Sequence, residues 1–358
     1  MRFEALISSA LSATLYTSLA AAVVLDTEGL PETGLNTSSW VAGVKPPLED
    51  MFSLHDMQLA AKNFLGGTQY AFIRTGSLDE HTYHANLDIW KQIKLRPHQS
   101  HGRDVANAST EQTIFGTKFS VPFFIAPVAY SSYTDPENGE LNLVRAAGKQ
   151  GALRGNIGTL YPLVNRTRLL EQLAEAEATG YKAIFLTVDN PTIQGIRTRA
   201  RRVGAPDASG TYSTDRSLES VVELQKLTKL PIIPKGIVSW EDAKKCLDLG
   251  FKAIYVSNHG GRLIDTAPTA VLASMEVYAD GGVRHGTDIA KLLALGVKAV
   301  GIGRSAVFSN SWGEEGVEKF FNLLKTELTT TMKLLGVSEI SQLDRTYVNT
   351  KAIENAIF

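Results

Sequence analysis

Short apolar runs, each stopping at a polar or glycine residue and separated from the next by a helical pattern, constrain this chain more than any other feature. Five stand out: Val121–Pro127, Ala183–Asp189, Pro231–Lys235, Ala253–Ser257 and Val297–Gly303. Near-continuous apolarity marks parallel strands covered on both faces. Helical patterns occupy Leu169–Thr179, Trp240–Leu249 and Thr287–Leu295, and each is followed by a glycine suited to a left-handed cap: Gly180, Gly250 and Gly296. This alternation predicts a (β/α)8 TIM barrel or a doubly wound sheet. No Gly-x-Gly-x-x-Gly opens a helix after a strand, which disfavours a dinucleotide-binding sheet. In a barrel, chemistry gathers at the carboxyl ends of the strands. Asp189, Lys235, Ser257 to His259, Asp280 and Arg304 all fall at such ends.

A chain of 358 residues is long enough for one large barrel. Lys and Arg number 36 against 37 Asp and Glu, so whole-chain charge gives no support to nucleic-acid or acidic-membrane binding. A single cysteine, Cys246, leaves no internal disulfide and no thiolate metal site. His98 and His101 sit in a short polar loop without a third ligand, so no metal is expected. Residues 1–22 match a secretory signal peptide: Arg2, then small and apolar residues ending in Ala20, Ala21 and Ala22. A signal anchor is the alternative, though the Ser and Thr residues before Leu19 make a stable membrane span a poor fit. Asn-x-Ser/Thr sequons at Asn36, Asn107 and Asn165 fit the secretory pathway, and Ala356-Ile357-Phe358 is not a peroxisomal tripeptide. Residues 23–48 read as a linker and 49–358 as the barrel.

The glycine-rich runs carry a resemblance. Ser257-Asn258-His259-Gly260-Gly261-Arg262, Asp280-Gly281-Gly282-Val283-Arg284-His285-Gly286-Thr287-Asp288 and Gly301-Ile302-Gly303-Arg304 resemble the FMN-dependent α-hydroxy acid dehydrogenases. Glycolate oxidase, lactate oxidase and the flavin domain of flavocytochrome b2 belong to that family. Ala126–Ala129 and Leu186–Pro191 match two further signatures. The likeness extends from Met51 to Leu343. It implies a (β/α)8 fold, bound FMN, and oxidation of a 2-hydroxy acid to the 2-oxo acid, a step that could belong to a biosynthetic pathway. Implied partners are a small 2-hydroxy acid and an electron acceptor, O2 or another. A monomer and a homo-oligomer are both compatible with the sequence.

The resemblance assigns roles that the residue types can perform. His259 matches the family's base, and imidazole is the natural base near neutral pH. Asp189 matches the carboxylate that holds the charged ring, against an alternative as a helix cap before Pro191. Arg262 and, after one extra residue is allowed, Arg197 match the substrate-carboxylate arginines, which offer a planar pair of donors. Tyr161 resembles a tyrosine that meets the substrate hydroxyl. The family's other substrate tyrosine aligns with Phe72, with Tyr70 two residues away. Lys235 matches the lysine that stabilises reduced flavin. Pro127, Val128 and Ala129 would lie against the ring, with Thr159, Thr187 and Ser257 as further contacts. Asp280 would bind the ribityl chain, and Gly281, Gly282, Val283, Arg284, Gly303 and Arg304 the phosphate.

Two departures bear on all of this. Between Asn156 and Leu160 the chain lacks about 20 residues of the family pattern, although parallel neighbours need a crossover of a dozen or more. Only Tyr278 and Ala279 remain of an expected seventh strand. The barrel is therefore predicted to be incomplete between strands 2 and 3 and at strand 7. The alternative to an oxidising enzyme is a degenerate, non-catalytic barrel that no longer holds FMN firmly. A racemase- or isomerase-type FMN barrel is disfavoured, because His259, Arg262 and Asp189 occur together.

Overall fold

The computed structural model describes residues 30–153, 157–190, 196, 211–267 and 275–354. The signal-peptide match at 1–22 lies outside them. Three helices come first: α1 (Leu54–Phe64), α2 (Gly67–Arg74) and α3 (His81–Gln92). Ser53 begins α1 with a reciprocal capping box to Asp56. Next come β1 (Lys94–Leu95) and a hairpin of β2 (Gln112–Ile114) and β3 (Thr117–Phe119). The alternation then starts: β4 (Phe123–Ile125), α4 (Glu140–Lys149), β5 (Ile157–Leu160), α5 (Arg166–Ala178), β6 (Ala183–Thr187), α6 (Leu218–Gln225), β7 (Ile232–Ile237), α7 (Trp240–Asp248) and β8 (Ala253–Val256). It continues through β9 (Glu276–Ala279), α8 (Gly286–Ala294), β10 (Val297–Ile302), α9 (Arg304–Ser309), α10 (Gly313–Leu335) and β11 (Val348–Asn349), which pairs with β1.

Seven strands form one parallel sheet in the order β4-β10-β9-β8-β7-β6-β5. The sheet curls around an aromatic interior. Phe185 stands 4.7 Å from Tyr255, 5.4 Å from Tyr278 and 5.8 Å from Phe124, ring centre to ring centre. Ile114 and Phe119 of the hairpin and Leu153 complete this inner cluster. The helices lie outside, against a second and larger apolar layer. The predicted alternation is thus present, and the strands' near-continuous apolarity follows from being covered on both sides.

One shortfall is present and the other is not. Among the described residues, no strand lies between β4 and β5, so each is a free edge. Leu153 already packs in the interior, and β5 begins four residues later. No crossover fits in that space. The opening holds a cavity of about 340 Å³, walled in part by Leu143, Val144, Leu153, Tyr181 and Phe185. Val144 on α4 is left 47% exposed and Leu141 54%. The seventh strand, by contrast, is complete: β9 spans Glu276–Ala279 and pairs with both β8 and β10. The expectation of a gap there fails, because the strand also takes in Val277 and, at its start, Glu276. Its carboxylate accepts the Tyr278 hydroxyl, which lets a charged residue open a buried strand.

Candidate active site

The carboxyl ends of the strands surround a cavity of about 360 Å³. His259 follows β8 in the left-handed backbone region, at φ 58°, with its amide donating to Ser257 Oγ at 3.1 Å. A non-glycine residue held there marks a site where the surroundings dictate the geometry. Its Nδ1 is 3.1 Å from each carboxylate oxygen of Asp189, which follows β6. Its Nε2 is 3.5 Å from the Tyr161 hydroxyl, just beyond β5. A carboxylate at Nδ1 fixes the proton on that nitrogen and leaves the Nε2 lone pair toward the cavity.

Electrostatics agree with this division of labour. Burial alone would raise the Asp189 carboxyl, but His259 and Lys235 outweigh it and hold the group below the usual carboxylate range. Burial, with Asp189 nearby, pushes the Tyr161 phenol up to about 12, so it stays a hydrogen-bond donor. Lys235 is buried in β7, donates to Ser257 Oγ at 3.2 Å and stands 5.2 Å from the centre of the Tyr255 ring. Gly236 follows at φ 108°, where a Cβ would come within 2.4 Å of Asp189 Cβ. Only glycine lets β7 pass this close to the carboxylate.

Arg262 lines the cavity and donates through Nη1 and Nη2 to the carbonyls of Phe72 and through Nη1 to Ile73, at 2.9–3.2 Å. Phe72 lines the cavity too, edge-on to Tyr130 and Tyr133 at 5.0 and 5.1 Å. Tyr70 instead turns its hydroxyl to Gln58 Nε2 and stacks on Phe308. Gly281, Gly282, Val283, Arg284, Gly303 and Arg304 also wall the cavity, and Arg304 shares the Ile73 and Thr75 carbonyls with Arg262. Pro127, Val128, Ala129, Thr159 and Asp280 line it as well. Thr187 and Ser257 are buried behind that wall, the latter as acceptor for both Lys235 and His259. Arg197 lies outside the described residues. Sequence reasoning missed Tyr130, Gly260 and Val307 as lining residues, and Tyr83 beneath Arg304. Tyr130 carried a signal, since it directly follows Val128 and Ala129. Among the described residues, no cluster of three His, Cys, Asp or Glu could hold a metal ion.

Comparisons with known proteins follow the same geometry. A family model described as FMN-dependent dehydrogenase matches residues 61–157 and 154–350, breaking where the sheet opens. L-lactate dehydrogenase (cytochrome) of Wickerhamomyces anomalus is 31% identical over 87% of this chain and 64% of its own length. This chain therefore spans less than two thirds of that relative. Glycolate oxidase of Spinacia oleracea is 32% identical over 84% of this chain and 96% of its own. The flavin-binding domain of baker's yeast flavocytochrome b2 superposes with a TM-score of 0.80 at 29% identity, covering 87% of this chain and 89% of that one. The sequence match, the shared barrel and the ring of strand-end residues together place this chain in the FMN-dependent dehydrogenase family.

Proposed function

We propose that this chain is an FMN-dependent oxidoreductase that oxidises a 2-hydroxy acid to the corresponding 2-oxo acid. The observation that carries this reading is the His259–Asp189 pair, with Tyr161 and Arg262 facing one cavity. FMN suits the residues present. Arg284 and Arg304 line the cavity as cations for a phosphate, and Asp280 Oδ1 is buried with no hydrogen-bond partner among the described residues. A ribityl hydroxyl is the kind of donor that oxygen lacks. When bound, FMN supplies the two-electron acceptor.

The chain's own residues do the rest. Arg262 holds the substrate carboxylate by charge-assisted bonds. His259 Nε2 takes a proton from the substrate, and Asp189 stabilises the imidazolium that results. Tyr161 keeps its proton and donates to the hydroxyl oxygen, orienting it toward His259. Lys235, buried in the cavity wall, would supply a positive charge that favours the reduced form of FMN. His259→Gln is expected to retain FMN and lose turnover by about 10²–10⁴-fold, the usual worth of a positioned base. Turnover within threefold of wild type at unchanged flavin content refutes the assignment.

The free edges of β4 and β5 favour a second reading, a barrel relative that holds FMN weakly. Purified protein without flavin absorption, and no FMN uptake on titration, would establish it. We also propose entry into the secretory pathway. Asn36, Asn107 and Asn165 are exposed. Asn36 and Asn165 use Oδ1 locally, accepting from Ser38 N and Arg168 N, which leaves Nδ2 for a glycan. Absence of an endoglycosidase-sensitive mass shift in the native protein counts against it.

A further inference from the structure

Arg304 is held largely from outside the barrel. Its Nε donates to Ile73 O at 3.2 Å, and its Nη2 to Gly260 O at 2.8 Å and Thr75 O at 3.5 Å. Two of those three carbonyls belong to the α2 end and the turn after it. Tyr83, on α3, is buried at 3% exposure, and the Arg304 Cζ stands 4.8 Å from its ring centre. Arg74 Cζ stands 4.0 Å from the same centre. Arg74 in turn donates to Glu80 Oε1 at 3.0 Å, and that oxygen also accepts the Gly76 amide at 2.7 Å. A Cβ on Gly261 would lie 2.7 Å from Tyr83 N, so the loop after His259 is packed directly onto the backbone of this tyrosine.

The charges in this corner have a definite balance. Arg74, Arg262, Arg284 and Arg304 contribute four positive charges, Arg262 sharing the Ile73 and Thr75 carbonyls with Arg304, and Glu80 contributes one negative, so the surplus is positive and suits an anion. A phosphate monoester carries a charge of about −1.5 to −2 at neutral pH. Burial lowers the Arg304 guanidinium to about 10, with Arg284 and Arg74 adding to that and Tyr83 and Glu80 opposing it. Like charges this close would turn Arg304 away unless something fixed it. An aromatic face attracts a guanidinium without neutralising it, and so leaves the full charge available to an anion.

We propose that Tyr83 is a positioning residue for the FMN phosphate: its ring, steadied by the Arg74–Glu80 pair, holds Arg304 aimed into the cavity. The helical segment ahead of the barrel thereby completes the cofactor clamp. This rests on FMN occupying the cavity and not on the identity of the substrate. Riboflavin, which has the same ring and ribityl chain but no phosphate, separates positioning from folding. Apoprotein is titrated with FMN and with riboflavin, following flavin fluorescence. Tyr83→Leu is expected to weaken FMN about tenfold and leave riboflavin within twofold. Tyr83→Phe keeps the aromatic face and stays within threefold for both. Inorganic phosphate competes with FMN in wild type and about tenfold less well in the leucine variant. Equal weakening of FMN and riboflavin, or unchanged FMN affinity, overturns the proposal. If Tyr83→Leu does not fold, Tyr83→Met carries the same comparison, and failure of both to fold assigns Tyr83 to the fold and overturns it as well. Wild type that binds neither flavin instead overturns the cofactor reading itself.

Discussion

Adding one methyl group at Gly236 should disable the base without touching it. A Cβ there would sit 2.4 Å from Asp189 Cβ, 2.5 Å from Cγ and 2.8 Å from Oδ2. Carbon atoms in contact prefer about 3.5–4.0 Å, so Asp189 or β7 must move by about 1 Å. The carboxylate oxygens are 3.1 Å from His259 Nδ1, and a shift of that size carries them beyond hydrogen-bonding range. Gly236 also sits at φ 108°, where a side chain adds strain of about 1–3 kcal/mol. Gly236→Ala is therefore expected to lower turnover by about 10²–10⁴-fold, the range for a lost acid–base function. This barrel is larger than the 150–250-residue domains that shift by ~2–4 °C per kcal/mol, so the strain alone lowers the Tm by less than about 12 °C. The assay is bleaching of the flavin's visible band by substrate under anaerobic conditions, alongside thermal melts. Asp189→Asn serves as the companion, since it removes the charge and leaves the backbone relaxed. Turnover and Tm both equal to wild type in Gly236→Ala would refute the claim that β7 and Asp189 are packed this closely.

Two further outcomes are expected. Burial, with Arg284 and His285 adding to it, lowers the His55 imidazole from 6.5 to about 4. The unfolded chain then takes up a proton over that window that the folded chain refuses, so stability falls as the pH drops from about 6.5 to 4. His55→Leu should flatten the decline in denaturant midpoints, and an unchanged slope counts against it. Inserting a strand–helix segment of about 20 residues after Leu153 should close the sheet, because a crossover of a dozen or more residues is what parallel neighbours lack there. A sharper melt with a Tm several degrees higher is expected; if the chain as it stands already melts as sharply, and excess FMN raises its midpoint as much as in the repaired chain, the opening is harmless.

The strand ends were legible because the polar residues interrupt apolar runs. Asp189, Lys235 and His259 could be placed on one face of a barrel from their position after such runs, and they do converge. What could not be read depended on contacts distant in sequence. Tyr83 lies more than 200 residues from Arg304 and belongs to a helix outside the alternation, so no spacing rule connects them. Glu276 hid the start of β9, because a charged residue in a buried strand needs a partner that only the fold reveals. Phe72 and Tyr70 illustrate a finer limit. A two-residue slip along α2 turns a side chain from the cavity toward α1, and only packing against Phe308 fixes which residue faces which way.

The gap between β4 and β5 changes what a cofactor does for this molecule. A closed barrel is a hoop, in which every strand is gripped from both sides and a ligand merely fills the middle. Here the hoop is cut, and the residues of the cradle sit on either side of the cut: Ala126, Pro127 and Val128 follow β4, and Thr159 is in β5. A molecule that touches both sides acts as a clasp. Any cost of drawing the two edges together is subtracted from its binding energy, so grip on the cofactor and stiffness of the sheet are linked.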